Sequence, residues 1–134
     1  MLKKIYYCPK CRAELNPGTK IILKANLSSL KGLFLFSPRL GDYEVISPSD
    51  FPTSPGEEVE FSCPVCAFDL TSSRSEHFTE LLCVQGKEEG RVIFSKIVGE
   101  QATFLILPDK TESFGKDVDG YSTVNFFGEG TKPE

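Results

Sequence analysis

The chain has 134 residues, 40% of them hydrophobic and 11 of them Phe, with a formal charge of −4; that is enough apolar material for a packed domain and argues against a disordered chain. No apolar run approaches the roughly 18 residues needed to cross a bilayer, and the start, Met1 to Lys4 followed by Ile5, Tyr6, Tyr7 and Cys8, lacks the apolar core of a signal peptide. Five cysteines, four of them in Cys-x-x-Cys pairs, argue against a disulfide framework and for a reducing compartment, so a cytosolic protein with no membrane association is expected.

The first element is a knuckle. Tyr6 to Asn16 runs aromatic, one residue, Cys-Pro-x-Cys, two residues, acid, Leu, small polar, and the same pattern returns 55 residues later from Phe61 to Thr71. Between the copies, Thr19, Ile21, Leu23, Ala25 and Leu27 alternate with mostly polar residues and predict a half-buried strand. A turn at Ser28–Gly32 leads to a short strand, Leu33 to Phe36, apolar on both faces. Pro38, Pro48, Pro52 and Pro55 then mark a long loop, interrupted by a short strand at Tyr43–Ile46. Glu57 to Ser62 places Val59 and Phe61 on one face and delivers its end to the second knuckle.

After the second knuckle, three strands are predicted at Phe78–Gln85, Arg91–Val98 and Ala102–Leu107, separated by turns at Gly86–Gly90 and Gly99–Gln101. From Pro108 the composition turns polar, although Phe114, Tyr121, Phe126 and Phe127 suggest that part of this stretch docks. The expected architecture is all-β, with few or no helices. A knuckle module with a β insertion occupies residues 1–75, a three-stranded antiparallel meander residues 76–127, and an exposed tail residues 128–134.

A Cys-x-x-Cys turn puts two sulfurs on one side of the backbone, and Pro9 and Pro64 stiffen each turn by fixing φ. Two such turns facing each other would supply Cys8, Cys11, Cys63 and Cys66 as four ligands to one Zn²⁺, with no position left for water: a structural centre. The 51 residues between Cys11 and Cys63 are no obstacle. Each doubling of a closed loop costs only about 0.6 kcal/mol, against roughly 10–16 kcal/mol of apparent zinc affinity in small peptides.

Over Tyr6–Leu15 and Phe61–Leu70 the chain resembles the zinc ribbon group, in which two cysteine knuckles on β-hairpins clamp one zinc. The resemblance implies that Cys8, Cys11, Cys63 and Cys66 bind the metal and that Leu15 and Leu70 pack behind the knuckles. It implies little about function, because ribbons serve in many unrelated settings. Rubredoxins hold one iron in a similar pair of Cys-Pro-x-Cys turns. They typically carry Gly after the second Cys of each turn, where this chain has Arg12 and Ala67; Trp is also absent, and the insertion is longer than theirs.

The remaining polar candidates read as ordinary. Cys83, inside an apolar strand, is expected to be a buried inert thiol, and His77 an exposed or hinge-capping side chain; Glu14 and Asp69, equivalent in the repeat, read as solvated acids. No phosphate-binding Gly loop, zinc-protease helix motif, nucleophile elbow or carboxylate pair is present in the sequence, and no small-molecule substrate is evident. The expected function is a non-catalytic interaction or oligomerisation module, with a protein partner or a second copy as its target.

Charge suggests one alternative. Met1 to Arg39 holds eight Lys and Arg against a single acid, and the remainder seven against 18. Lys3, Lys4, Lys10, Arg12, Lys20, Lys24 and Lys31 would form a nucleic-acid surface, with Tyr6, Tyr7 and Phe34 stacking on bases. Equally, the two halves would pack on each other. An iron-bearing electron carrier of the rubredoxin kind is the third reading.

Overall fold

The computed structural model describes residues 4–121. Among these residues nine strands form two antiparallel sheets: β1 (Lys4–Tyr7), β2 (Ile21–Leu27), β3 (Leu30–Phe36), β4 (Val45–Ile46), β5 (Glu60–Ser62), β6 (Phe78–Gln85), β7 (Glu88–Ser95), β8 (Thr103–Ile106) and β9 (Thr111–Phe114). The five-stranded sheet runs β1-β6-β7-β8-β9 and the four-stranded sheet β4-β3-β2-β5. Among the described residues there is no α-helix, only a 3₁₀ turn at Val118–Tyr121, and no helix is long and apolar enough to cross a membrane. Lys3, Phe126, Phe127 and the expected tail at 128–134 lie outside the described residues.

The alternation of β2 turns Ile21, Leu23 and Ala25 inward, where they meet Phe34 from β3, Phe61 from β5, and Leu81, Val92 and Leu105 from the opposite sheet. Val59 and Phe61 are buried as the pattern before the second knuckle requires. The meander is present but larger than the sequence indicates. β1 pairs with β6, Tyr6 opposite Cys83, and β9 adds a strand beyond β8. β7 also begins three residues earlier than expected, because the chain reverses at Gly86 (φ 63°) and Lys87 and the acidic residues Glu88 and Glu89 join the ladder. Gly90 permits this register: a Cβ there would stand 2.5 Å from the Ile106 carbonyl oxygen.

The return strand of each knuckle stitches one sheet to the other. Leu15 donates its N–H to the Tyr6 carbonyl of β1 (2.7 Å) and accepts from Ile22 of β2 (2.8 Å). In the second copy Leu70 donates to Phe61 of β5 (3.0 Å) and accepts from Glu80 of β6 (2.8 Å). Both leucines are buried in the shared core. A third joint pairs Glu57–Val59 with Lys96–Val98 through Val59 N–H to Lys96 (3.0 Å) and Val98 N–H to Glu57 (2.7 Å). On the opposite side, the β3–β4 loop reaches across to the five-stranded sheet: the Tyr43 hydroxyl donates to the Phe114 carbonyl (2.9 Å) and lies 2.8 Å from Thr103 Oγ1.

Asn16 completes the free edge of β1. Its Oδ1 accepts the Tyr6 N–H (2.9 Å), its Nδ2 donates to the Lys4 carbonyl (3.1 Å), and the residue is fully buried. Asn16→Leu keeps the branched shape but orphans a buried backbone N–H, so it should destabilise the protein by about 1–3 kcal/mol. Urea unfolding of the variant beside the parent measures this directly.

Candidate metal centre

The two knuckles are built alike, atom for atom. Cys8 N–H reaches Ala13 O (3.0 Å) and Arg12 N–H reaches Cys8 O (2.9 Å); in the second copy Cys63 N–H reaches Phe68 O (2.9 Å) and Ala67 N–H reaches Cys63 O (2.9 Å). Arg12 (φ 66°) and Ala67 (φ 65°) both take the left-handed conformation that lets the chain turn back. This is the position at which rubredoxins carry Gly, and a side chain there costs about 1–2 kcal/mol.

Inside each turn two amides face the first sulfur. Lys10 and Cys11 N–H lie 3.4 and 3.5 Å from Cys8 Sγ, and Val65 and Cys66 N–H lie 3.3 and 3.4 Å from Cys63 Sγ. Those dipoles favour thiolate. Across the gap, Cys8 Sγ and Cys66 Sγ are 3.7 Å apart, as are Cys11 Sγ and Cys63 Sγ, and all four sulfurs lie within 4.8 Å of one another. A tetrahedron with metal–sulfur bonds of about 2.3 Å has edges of about 3.8 Å, whereas a disulfide needs about 2.05 Å. The spacing is that of four ligands around one metal ion.

The four thiols differ in environment. Cys8 and Cys63 are buried, while Cys11 and Cys66 are exposed, so the centre sits at the surface with one side open to solvent. Desolvation pushes the Cys63 thiol up to about 12. The Phe68 N–H draws Cys66 down to about 7. Cys11 has an equivalent hydrogen bond from Ala13, but desolvation and the neighbouring Cys66 thiol leave it raised.

Other predicted residues fall into place around this core. Cys83 is buried beside Tyr6, and burial raises it to about 11. His77 is half exposed and hydrogen-bonded through Nδ1 to Glu58, outside the thiol cluster. Burial alone would raise Asp69; the Thr71 N–H (3.0 Å) and hydroxyl (2.7 Å), with the Lys96 ammonium beyond, hold it below the ordinary carboxylate range. Glu14 is exposed.

Among the described residues the basic side chains have different neighbours. Lys10 lies over the Phe68 ring (5.4 Å) and ties one knuckle to the other, and Arg12 pairs with Glu89 (3.9 Å). Lys20 approaches Asp42, Lys24 and Lys31 project from the outer face of the four-stranded sheet, and Lys4 is half-buried in β1.

Sequence reasoning missed the brace behind the second knuckle. The Lys96 side chain is 3% exposed and donates to Glu60 (2.7 Å) and Thr71 (2.9 Å). Thr71 occupies the repeat position of Asn16, which was the available signal; Lys96 arrives from just beyond the end of β7, which no local pattern connects to it.

Two outcomes follow from the geometry. In metal-stripped protein, iodoacetamide should modify Cys66 first, at a rate rising as pH passes through about 7 because the thiolate is the nucleophile. Cys63 and Cys83, protonated at that pH, should resist until the protein is denatured, and peptide mass spectrometry reads all the sites. Ala67→Gly should be neutral or stabilising by up to about 1 kcal/mol through relief of the left-handed backbone, whereas Ala67→Val should be clearly destabilising; paired thermal melts compare them. No family model, curated protein or solved structure matches this chain.

Proposed function

We propose that Cys8, Cys11, Cys63 and Cys66 hold one Zn²⁺ as a structural centre, and that the protein is a non-catalytic interaction module. Four thiolates complete a tetrahedron and leave no position for a reacting water. Sulfur-only sites take zinc or iron. Arg12 and Ala67 after the knuckles, the missing Trp and the long insertion support zinc over a rubredoxin-like iron.

One observation carries the interaction reading. On the outer face of the four-stranded sheet Ile22, Leu35 and Ile46 stand in register across β2, β3 and β4, with Leu33 beside them. Leu33 is 52% and Ile46 49% exposed. Apolar residues in a row on neighbouring strands form a contiguous patch, which is what a partner surface supplies. We take that partner to be a second copy of the chain, docked face to face. The nucleic-acid alternative draws less support, since Arg12 is paired with Glu89 and Lys10 is engaged with Phe68.

Elemental analysis should find one zinc per chain, and chelation should lower the Tm by on the order of 10 °C or more; a strongly coloured, iron-loaded protein would displace zinc. Light scattering on a sizing column should find a dimer that Leu33→Glu with Ile46→Glu converts to monomer. A strict monomer that co-purifies with nothing refutes the interaction role, and oligonucleotide binding that weakens steeply with salt would favour the alternative.

A further inference from the structure

Between the two sheets lies a cavity of about 370 Å³. It is open to solvent on one side, equals roughly a dozen water volumes and falls in the range of small-molecule sites, about 300–1,000 Å³. Its walls are aromatic. Phe36, Phe61 and Phe94 stand 5.3–6.1 Å apart and join the two sheets, and Tyr6, Phe34 and Leu81 line the space beside them. Phe36 and Phe94 stay only half-buried although they point between the sheets. The knuckle seams on one side and the Tyr43 contact on the other fix the separation, so the walls cannot collapse to fill the space.

Four of the polar side chains lining the cavity are already engaged. The Tyr6 hydroxyl donates to Pro38 O (2.6 Å), the Tyr43 hydroxyl to Phe114 O, Ser95 to Glu100, and the Lys96 ammonium to Glu60 and Thr71. Water held against such walls finds few of the two to four partners it needs. Of the two cations in the lining, Lys96 is held by Glu60 and Arg39 acts on Asp42. The β3–β4 loop and the β7–β8 turn bring Asp42, Glu44 and Glu100 to the lining, three carboxylates against the Arg39 guanidinium and the Lys20 ammonium near Asp42. Asp42 is kept ionised by the Glu44 N–H and the Ser37 hydroxyl, which hold its carboxyl below the usual range. The approach therefore disfavours anions as well.

We propose that this cavity binds one neutral, predominantly apolar small molecule of roughly ten to twenty non-hydrogen atoms, admitted between the β3–β4 loop and the β7–β8 turn. Affinity comes from apolar area removed from water and from ring contacts with the phenylalanines. The site is separate from the metal centre and from the outward face of the four-stranded sheet.

The test is fluorescence titration of the metal-loaded protein with N-phenyl-1-naphthylamine, compared with 8-anilinonaphthalene-1-sulfonate, which adds a sulfonate to the same skeleton. The neutral dye should bind saturably at one per chain, at least tenfold more tightly than the sulfonate. Val92→Phe and Ile21→Phe, each placing a ring in the cavity, should weaken the neutral dye at least tenfold while circular dichroism and Tm stay near those of the parent. Leu33→Glu should leave binding unchanged, which separates this site from the outer patch. Absence of saturable binding, equal affinity for the two dyes, or undiminished binding by whichever filled variant remains folded would overturn the proposal.

Discussion

The meeting of two equivalent turns, with four sulfurs inside a sphere of a few ångströms, is the constraint on which the rest of this structure depends. Each turn alone would be a marginal hairpin. Together they set where β1 ends and β2 begins, and where β5 ends and β6 begins, because Leu15 and Leu70 hydrogen-bond to both sheets immediately behind the sulfurs. A single ion at that point would cross-link residues 52 apart, Cys11 and Cys63, and thereby fasten two sheets whose shared core is modest.

Charge follows the same logic. The basic first third and the acidic remainder look like two surfaces in the sequence, but several of those charges meet within the fold. Arg12 reaches Glu89 in the second half, and Lys4 lies close enough to Cys83 on the neighbouring strand to favour its thiolate. Lys96 and Glu60 pair within the acidic remainder itself. Exposed pairs such as Arg12 with Glu89 add little stability. The buried Lys96 brace is different, since its ammonium has nowhere else to go.

Much of the fold was legible because its signals are local. The repeated Cys-Pro-x-Cys patterns identified the thiol cluster, and the alternation in Ile21–Leu27, Ile22 apart, and in Val59–Phe61 pointed to the inward faces. What stayed hidden is non-local. Nothing in Lys4–Tyr7 announces that it will lie beside β6, since four residues carry too little periodicity and the partner strand is some 75 residues away. β9 was concealed by its polar composition, yet Thr111–Phe114 needs only one apolar side chain turned inward to pair with β8. The cavity could not be read at all: the sequence shows which aromatic residues face inward, not how far apart the seams hold them.

Gly115 illustrates how the far side is closed. With φ at 106° and no room for a Cβ, which would stand 2.2 Å from the Gln101 carbonyl oxygen and 2.5 Å from the Tyr43 hydroxyl, it lets the chain after β9 pass close beneath the loop. Three backbone joints bind the sheets along the knuckle side, whereas the Tyr43 phenol is the link described across β9. The molecule is thus hinged like a book, its spine at the sulfurs, with Tyr43 as a clasp at β9 and the Tyr6 hydroxyl on Pro38 as a further tie between the pages. Thermal opening should start at the clasp, and the spine should be the last part to come apart.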